Sequence, residues 1–140
     1  MPATRKQIRD KGRNLYGDNG DLIGFVNPNG TTRYFPAGQS DNAITAFAGG
    51  GQGSAVQLAY RMSRVTTVAS AADSVKMPAA KAGMKMTVIN AAAANAMTIY
   101  PATGEVINAL AANAGLSVAA NKAILFVSAV DGTWNTNLTA

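Results

Sequence analysis

The chain contains no cysteine and no histidine. Without cysteine there is no disulfide, no thiolate nucleophile and no cysteine-ligated metal. Without histidine the commonest general base and the commonest metal ligand are both missing, and a Ser-His-Asp arrangement cannot be assembled from one such chain. Charged residues make up only 14% of the sequence and aromatics only 6%. The seven acids, Asp10, Asp18, Asp21, Asp41, Asp73, Glu105 and Asp131, are scattered, and their spacing singles out no carboxylate pair of the glycosidase kind. No apolar run approaches the roughly 20 residues of a membrane-spanning helix: the alanine-rich part from Ala91 to Ala120 is broken by Asn95, Pro101, Glu105, Asn108 and Asn113. The basic start is not followed by an apolar stretch, so no signal peptide is expected. These absences weigh against catalysis, against a cofactor and against a membrane partner.

What is present is a 140-residue chain, long enough for one domain plus an arm. Its 48% apolar content is carried largely by alanine, with Val, Ile, Leu and Met behind it. Hydrophobic stabilisation scales with the apolar area removed from water, and alanine buries little. A core of this kind is thin, so self-association is expected to supplement it. The net charge of +5 is unevenly placed. Arg5, Lys6, Arg9, Lys11 and Arg13 face a single acid, Asp10, in the first thirteen residues, leaving seven of the twelve bases and six of the seven acids for everything else. The basic character therefore belongs to an N-terminal arm.

Along the chain, Thr4 to Tyr16 reads either as a short capped helix stopped by Gly17 or as an extended arm that orders on a partner. Leu22–Val26 and Thr31–Phe35 read as a hairpin around Asn27-Pro28-Asn29-Gly30, because Pro presets φ and Gly accepts positive φ. Such a hairpin is barely stable alone and must pack on something. The run Gly49-Gly50-Gly51-Gln52-Gly53-Ser54 has linker composition and sets an expected boundary between an attachment region, 1–53, and a body, 54–140.

The body reads as successive strands. Val56 to Val68 places Val56, Leu58, Tyr60 and Met62 at spacing two. Val75 and Met77 alternate with Lys76, and Met84, Met86 and Val88 alternate with Lys85 and Thr87. Met97–Tyr100 continues until Pro101 ends it. Ala123–Val130 is apolar on both faces, as in a strand buried from two sides. Asp131-Gly132 is a hairpin turn, after which Trp134 anchors a return strand. The spacing predicts a sandwich or barrel. One segment occurs twice: Val88–Ala96 matches Val106–Ala114 except for Ala92 against Leu110. Alanine propensity favours helical turns in these connections, and the eighteen-residue offset invites a β-helix, although two copies are few for a solenoid.

Several segments have both a chemical and an ordinary reading. Asp18-Asn19-Gly20-Asp21 lacks the final Glu of a calcium loop and reads as a polar turn. The glycine run lacks the lysine of a phosphate loop. Met62, Met77, Met84, Met86 and Met97 are expected to fill the core. The basic arm suits an acidic protein surface first and nucleic acid second, since the body has no basic stripe with interleaved aromatics.

From Ser63 to Trp134 the chain resembles a C-terminal module of tailed-phage virion proteins, among them head decoration (cement) and fibre proteins. The resemblance is carried by Arg64-Val65-Thr66-Thr67-Val68, Asp73-Ser74-Val75-Lys76-Met77-Pro78-Ala79-Ala80, Ala82-Gly83-Met84 through Val88-Ile89-Asn90, Tyr100 through Asn108, and Gly132-Thr133-Trp134. It covers about half of the chain, and its motifs mark turns and core positions. It implies a β-rich, commonly trimeric module exposed on a virion.

The expectation is thus an all-β protein: a β-sandwich or jelly-roll-like body with an extended N-terminal arm and hairpin, assembled as a homotrimer. As a capsid decoration protein on the virion surface it would clamp the major capsid protein through Arg5, Lys6, Arg9, Lys11, Arg13, Tyr16, Arg33, Tyr34 and Phe35. It would hold no catalytic, cofactor-binding or metal-ligating residue. The alternative is a tail or head fibre component whose body loops bind a host glycan, with Tyr100, Trp134 and Asp131 as the candidate contacts.

Overall fold

The computed structural model describes residues 13–16, 22–34 and 40–137, and contains no helix among them. They fall into two units, one ending at Gln39 and one beginning at Ser40.

The first unit holds a three-stranded sheet: β1 (Arg13–Tyr16), β2 (Leu22–Val26) and β3 (Thr32–Tyr34), with β2 central and both pairings antiparallel. The β2–β3 hairpin forms where the turn signal places it. Gly30 takes a φ of +87°, its amide donates to the Asn27 carbonyl at 2.9 Å, and the Asn27 amide donates to the Thr31 carbonyl at 2.8 Å. The Asn29 side-chain oxygen accepts from both the amide and the hydroxyl of Thr31, which locks the turn. The helix considered as far as Tyr16 is not formed over Arg13–Tyr16, where pairing with β2 supplies the backbone bonds instead. Residues 4–12 lie outside the described part.

The second unit is wound between two sheets. Its strands are β4 (Ser40–Thr45), β5 (Val56–Gln57), β6 (Met62–Thr67), β7 (Ser74–Lys76), β8 (Lys85–Asn90), β9 (Met97–Tyr100), β10 (Val106–Ile107), β11 (Leu116–Val118), β12 (Lys122–Val127) and β13 (Thr133–Thr136). One sheet has the order β10-β13-β12-β8-β6-β4 and the other β11-β9-β7-β5. From β4 to β12 every successive strand enters the opposite sheet. Because each sheet therefore receives every second strand, β4, β6 and β8 pair in parallel, as do β5, β7 and β9. The later strands add antiparallel pairs, β8–β12, β12–β13 and β9–β11. Two sheets thus enclose one core, but the parallel winding is not the antiparallel arrangement of a jelly roll.

The core is shared by both sheets. Val65, Met86, Val88, Phe126 and Trp134 come from the six-stranded sheet, and Val75, Met97, Ile99 and Val118 from the four-stranded one. Trp134 is fully buried, meets Phe126 edge-on at 6.3 Å between ring centroids, and donates its Nε1–H to the Pro78 carbonyl. Aromatic pairs favour this geometry because the ring edge is positive and the face negative.

Three sequence expectations are corrected here. The body starts at Ser40 and not at residue 54, because β4 pairs with β6. The glycine run is built into that body: Gly49, Gly50 and Gly51 all have φ between +73° and +92°, as a tight reversal between β4 and β5 requires, and the Gly49 amide donates to Asp73. Val56–Val68 is not one strand, since β5 and β6 lie in different sheets; Leu58 is buried while Tyr60 and Met62 are exposed.

The repeated segment is a sheet-to-sheet crossing used twice. Each copy leaves the six-stranded sheet, from β8 or β10, and enters the four-stranded sheet, at β9 or β11, without a helical turn. Asn95 and Asn113 occupy the same left-handed conformation, φ +67° and +66°. Asparagine tolerates this region better than most residues. The two copies nonetheless face oppositely: Val88 and Asn90 are buried in the first, Ile107 in the second. A one-residue shift in register inverts the face of a strand.

Candidate interaction surfaces

Of the nine residues expected to bind a partner, Arg5, Lys6, Arg9, Lys11 and Phe35 lie outside the described residues. Arg13 and Tyr16 are in β1 and Arg33 and Tyr34 in β3, the two outer strands of the first unit's sheet. Arg13 is in register with Val26, which also pairs with Thr32; Arg33 is in register with Phe25, in the next row. One small sheet therefore brings Arg13 and Arg33 into adjacent rows although they are far apart in sequence.

In the body, the four described carboxylates all accept backbone amides. Asp41 accepts the Ala43 amide. Asp73, 1% exposed, takes the Ser70 amide at 3.0 Å and the Gly49 amide at 3.3 Å. Glu105 holds the Ala80 amide with both oxygens at 3.0 and 3.1 Å. Asp131 accepts the Ala82 amide at 2.9 Å and the Lys81 ammonium at 2.9 Å. The Ala82 amide and Lys81 together hold the Asp131 carboxyl below its ordinary value, and Asp131 holds the Lys81 ammonium above its own. Asp41 acts within β4, whereas Asp73, Glu105 and Asp131 close loops, and the tripeptide Ala80-Lys81-Ala82 is fastened by two of them. Among the described residues no cluster of three or more metal-ligating side chains occurs.

The glycan contacts considered from sequence are used otherwise. Trp134 is sealed in the core and cannot stack on a sugar. Tyr100 is half-buried, and its ring lies where a side chain on Gly115 would point. Asp131 is committed to the Lys81–Ala82 loop.

The surface that does stand open is the outer face of the six-stranded sheet. Its register can be followed strand by strand. Met62 pairs with Thr87, which pairs with Leu125; Arg64 pairs with Ile89, which pairs with Ala123; Lys85 pairs with Val127, which pairs with Asn135. Paired residues project to the same side of a sheet, and their alternates, Ser63, Met86, Val88 and Phe126, are buried in the core. Met62 is 48% exposed and Leu125 38%. The expectation that Ala123–Val130 is buried from two sides is thus corrected: among the described residues one side of β12 is covered, at Phe126, and Leu125 on the other is exposed. Met62 departs likewise from the expected core set, whereas Met77, Met86 and Met97 are buried.

The rim of this face is basic. Arg64 and Lys85 lie on it, and no acid shares these rows. Among the described residues the Lys81–Asp131 pair is the one ion pair, so Arg64 and Lys85 have no carboxylate partner there. The sequence signal for this surface was available in two halves, the two-sided apolarity of β12 and the lysine-threonine alternation of β8; only the register joins them. Comparison with protein-family models, with curated proteins and with solved structures finds no match.

Proposed function

We propose that this chain is a structural protein of a tailed-phage virion, a capsid decoration protein that binds the head shell and stabilises it. One observation carries the reading: an all-β body presents an exposed apolar sheet face at Met62 and Leu125 while its described carboxylates are engaged by its own backbone amides. Such a surface offers area for assembly. The basic residues of the N-terminal unit give a second point of attachment, and several weak contacts made together add through effective concentration. The strand edges of its small sheet suit pairing with an exposed strand of a shell subunit. The thin, alanine-rich composition supports self-association on the shell, because contacts between copies would supplement each core, and the resemblance to virion modules implies a homotrimer.

The test uses the whole chain. Phage head shells assembled without it are mixed with the purified protein and sedimented, and shell survival is followed on heating. Saturable co-sedimentation with raised shell stability is expected. A protein that stays in the supernatant at every concentration refutes the reading. Replacing Arg5, Lys6, Arg9, Lys11 and Arg13 together by Gln is expected to weaken shell binding and to make the remainder less sensitive to salt.

A further inference from the structure

We infer that the outer face of the six-stranded sheet docks onto a protein surface that is apolar at its centre and carboxylate-bearing at its edge, the shell subunit if the decoration reading holds, on which this inference rests. The centre of the face is the row Met62, Thr87 and Leu125, flanked by Ile89. Met62 and Leu125 are large exposed apolar groups on one row of one sheet face, with half-buried Thr87 between them, and apolar groups gathered on one face mark interaction sites where scattered ones do not. Its charge selects the occupant. Arg64 and Lys85 bracket the apolar row from two sides, with no acid on the rows between them and no carboxylate partner among the described residues. Stacking two copies through this face would bring two basic surfaces together, and like charge across an interface is repulsive. The chain's own first 39 residues carry six bases, Arg5, Lys6, Arg9, Lys11, Arg13 and Arg33, against three acids, so charge does not favour them either. A nucleic-acid backbone would meet the positive charge but would leave Met62, Ile89 and Leu125 facing phosphates.

The guanidinium of Arg64 is already oriented, since its Nη1 donates to the Asn42 carbonyl at 3.3 Å. That leaves further donors of the planar fork for a carboxylate. Lys85 is exposed and in register with Val127, so its aliphatic stem adds to the apolar area of this face while only the charged end needs water.

The test measures binding of the full chain to head shells lacking it, together with two face variants, Leu125→Asp and the double variant Arg64→Glu, Lys85→Glu. Both change exposed positions, so folding is retained, and the fluorescence of buried Trp134 checks this. Each is expected to weaken binding at least about tenfold, and shells are expected to slow peroxide oxidation of Met62 in the wild type. Wild-type binding with unaltered affinity in both variants overturns the docking face and leaves the decoration reading standing; no binding by the wild type overturns both. Three further results each overturn the inference by naming another occupant. These are self-association of the free chain abolished by Leu125→Asp, faster Met62 oxidation once residues 1–39 are removed, and duplex DNA binding lost in the double charge variant.

Discussion

Asn90 sits at the end of β8, fully buried, at the first of the two repeated crossings. Its side chain closes the crossing from inside. Nδ2 donates to the Val118 carbonyl at 2.9 Å and to the Asn95 carbonyl at 3.1 Å, and Oδ1 accepts the Ala92 amide at 3.2 Å. Val118 and Ala92 are themselves buried, so water cannot replace the lost partner. A buried group left unpaired costs about 1–3 kcal/mol. With two enclosed groups and the more accessible Asn95 carbonyl, Asn90→Ala is expected to cost about 3–5 kcal/mol, a large part of the roughly 5–15 kcal/mol that keeps a domain folded. The repeat supplies its own control. Asn108 is the equivalent residue in the second copy, but it is exposed and exchanges hydrogen bonds with the amide and hydroxyl of Thr136. Water can take over those bonds, and placing alanine at its φ of +54° adds a modest backbone penalty, so Asn108→Ala is expected to cost about 1–2 kcal/mol. Urea unfolding followed by Trp134 fluorescence measures both. Losses within about 1 kcal/mol of each other would refute the reasoning, because solvent access and not residue identity is what separates the two sites.

Other outcomes follow from single features. Gly115→Ala is expected to destabilise the body by about 1–3 kcal/mol, since a new methyl group would strike Thr98 Cγ2 and come within 2.9 Å of Tyr100 Cε1; an unchanged denaturation midpoint contradicts it. The Asp131–Lys81 pair gives a defined pH window. A carboxyl lowered in the folded state stabilises fully above its ordinary value of 3.8, and this contribution is lost as pH falls through the folded value. A raised ammonium stabilises fully below 10.5, and this is lost as pH climbs past the folded value. The midpoint difference between wild type and Asp131→Asn should therefore be flat from about pH 5 to 9 and shrink in acid; a difference that grows in acid contradicts the assignment. Trp134, the single tryptophan, should emit at short wavelength and resist acrylamide quenching until the body unfolds. Trp134→Phe should lower stability by about 1–3 kcal/mol through the lost bond to Pro78 and the poorer fit against Phe126.

Much of the strand pattern was legible because it rests on local physics. The Asn27–Gly30 turn, the inward set Val75 and Met77, the alternation of Met86 and Val88 with Lys85, and the stop at Pro101 all follow from backbone preferences and period-two burial. Which sheet a strand joins was not legible, because alternation tells which side faces inward and says nothing of the neighbour. Val56–Val68 therefore read as one strand although Leu58 and Val65 approach the core from opposite layers. The glycine run misled for a related reason: the composition that makes a linker flexible is the one needed for three consecutive residues at positive φ. The candidate surface was half visible. The basic residues near the start stood out by composition, but the row Met62, Thr87 and Leu125 is assembled from three distant segments and exists only through strand pairing.

The placement of β13 has a consequence for how the molecule is made. This strand, the last of the body's described elements, is inserted between β10 and β12 and brings Trp134, the largest wholly buried side chain. Until residues 133–136 have emerged from the ribosome, β10 has no strand to join it to β12, and the core lacks its largest ring. Earlier strands can be held in place but not locked, and a message truncated only a few codons before that point would yield a polypeptide with an open seam, exposed to proteases and prone to pairing with the wrong strand.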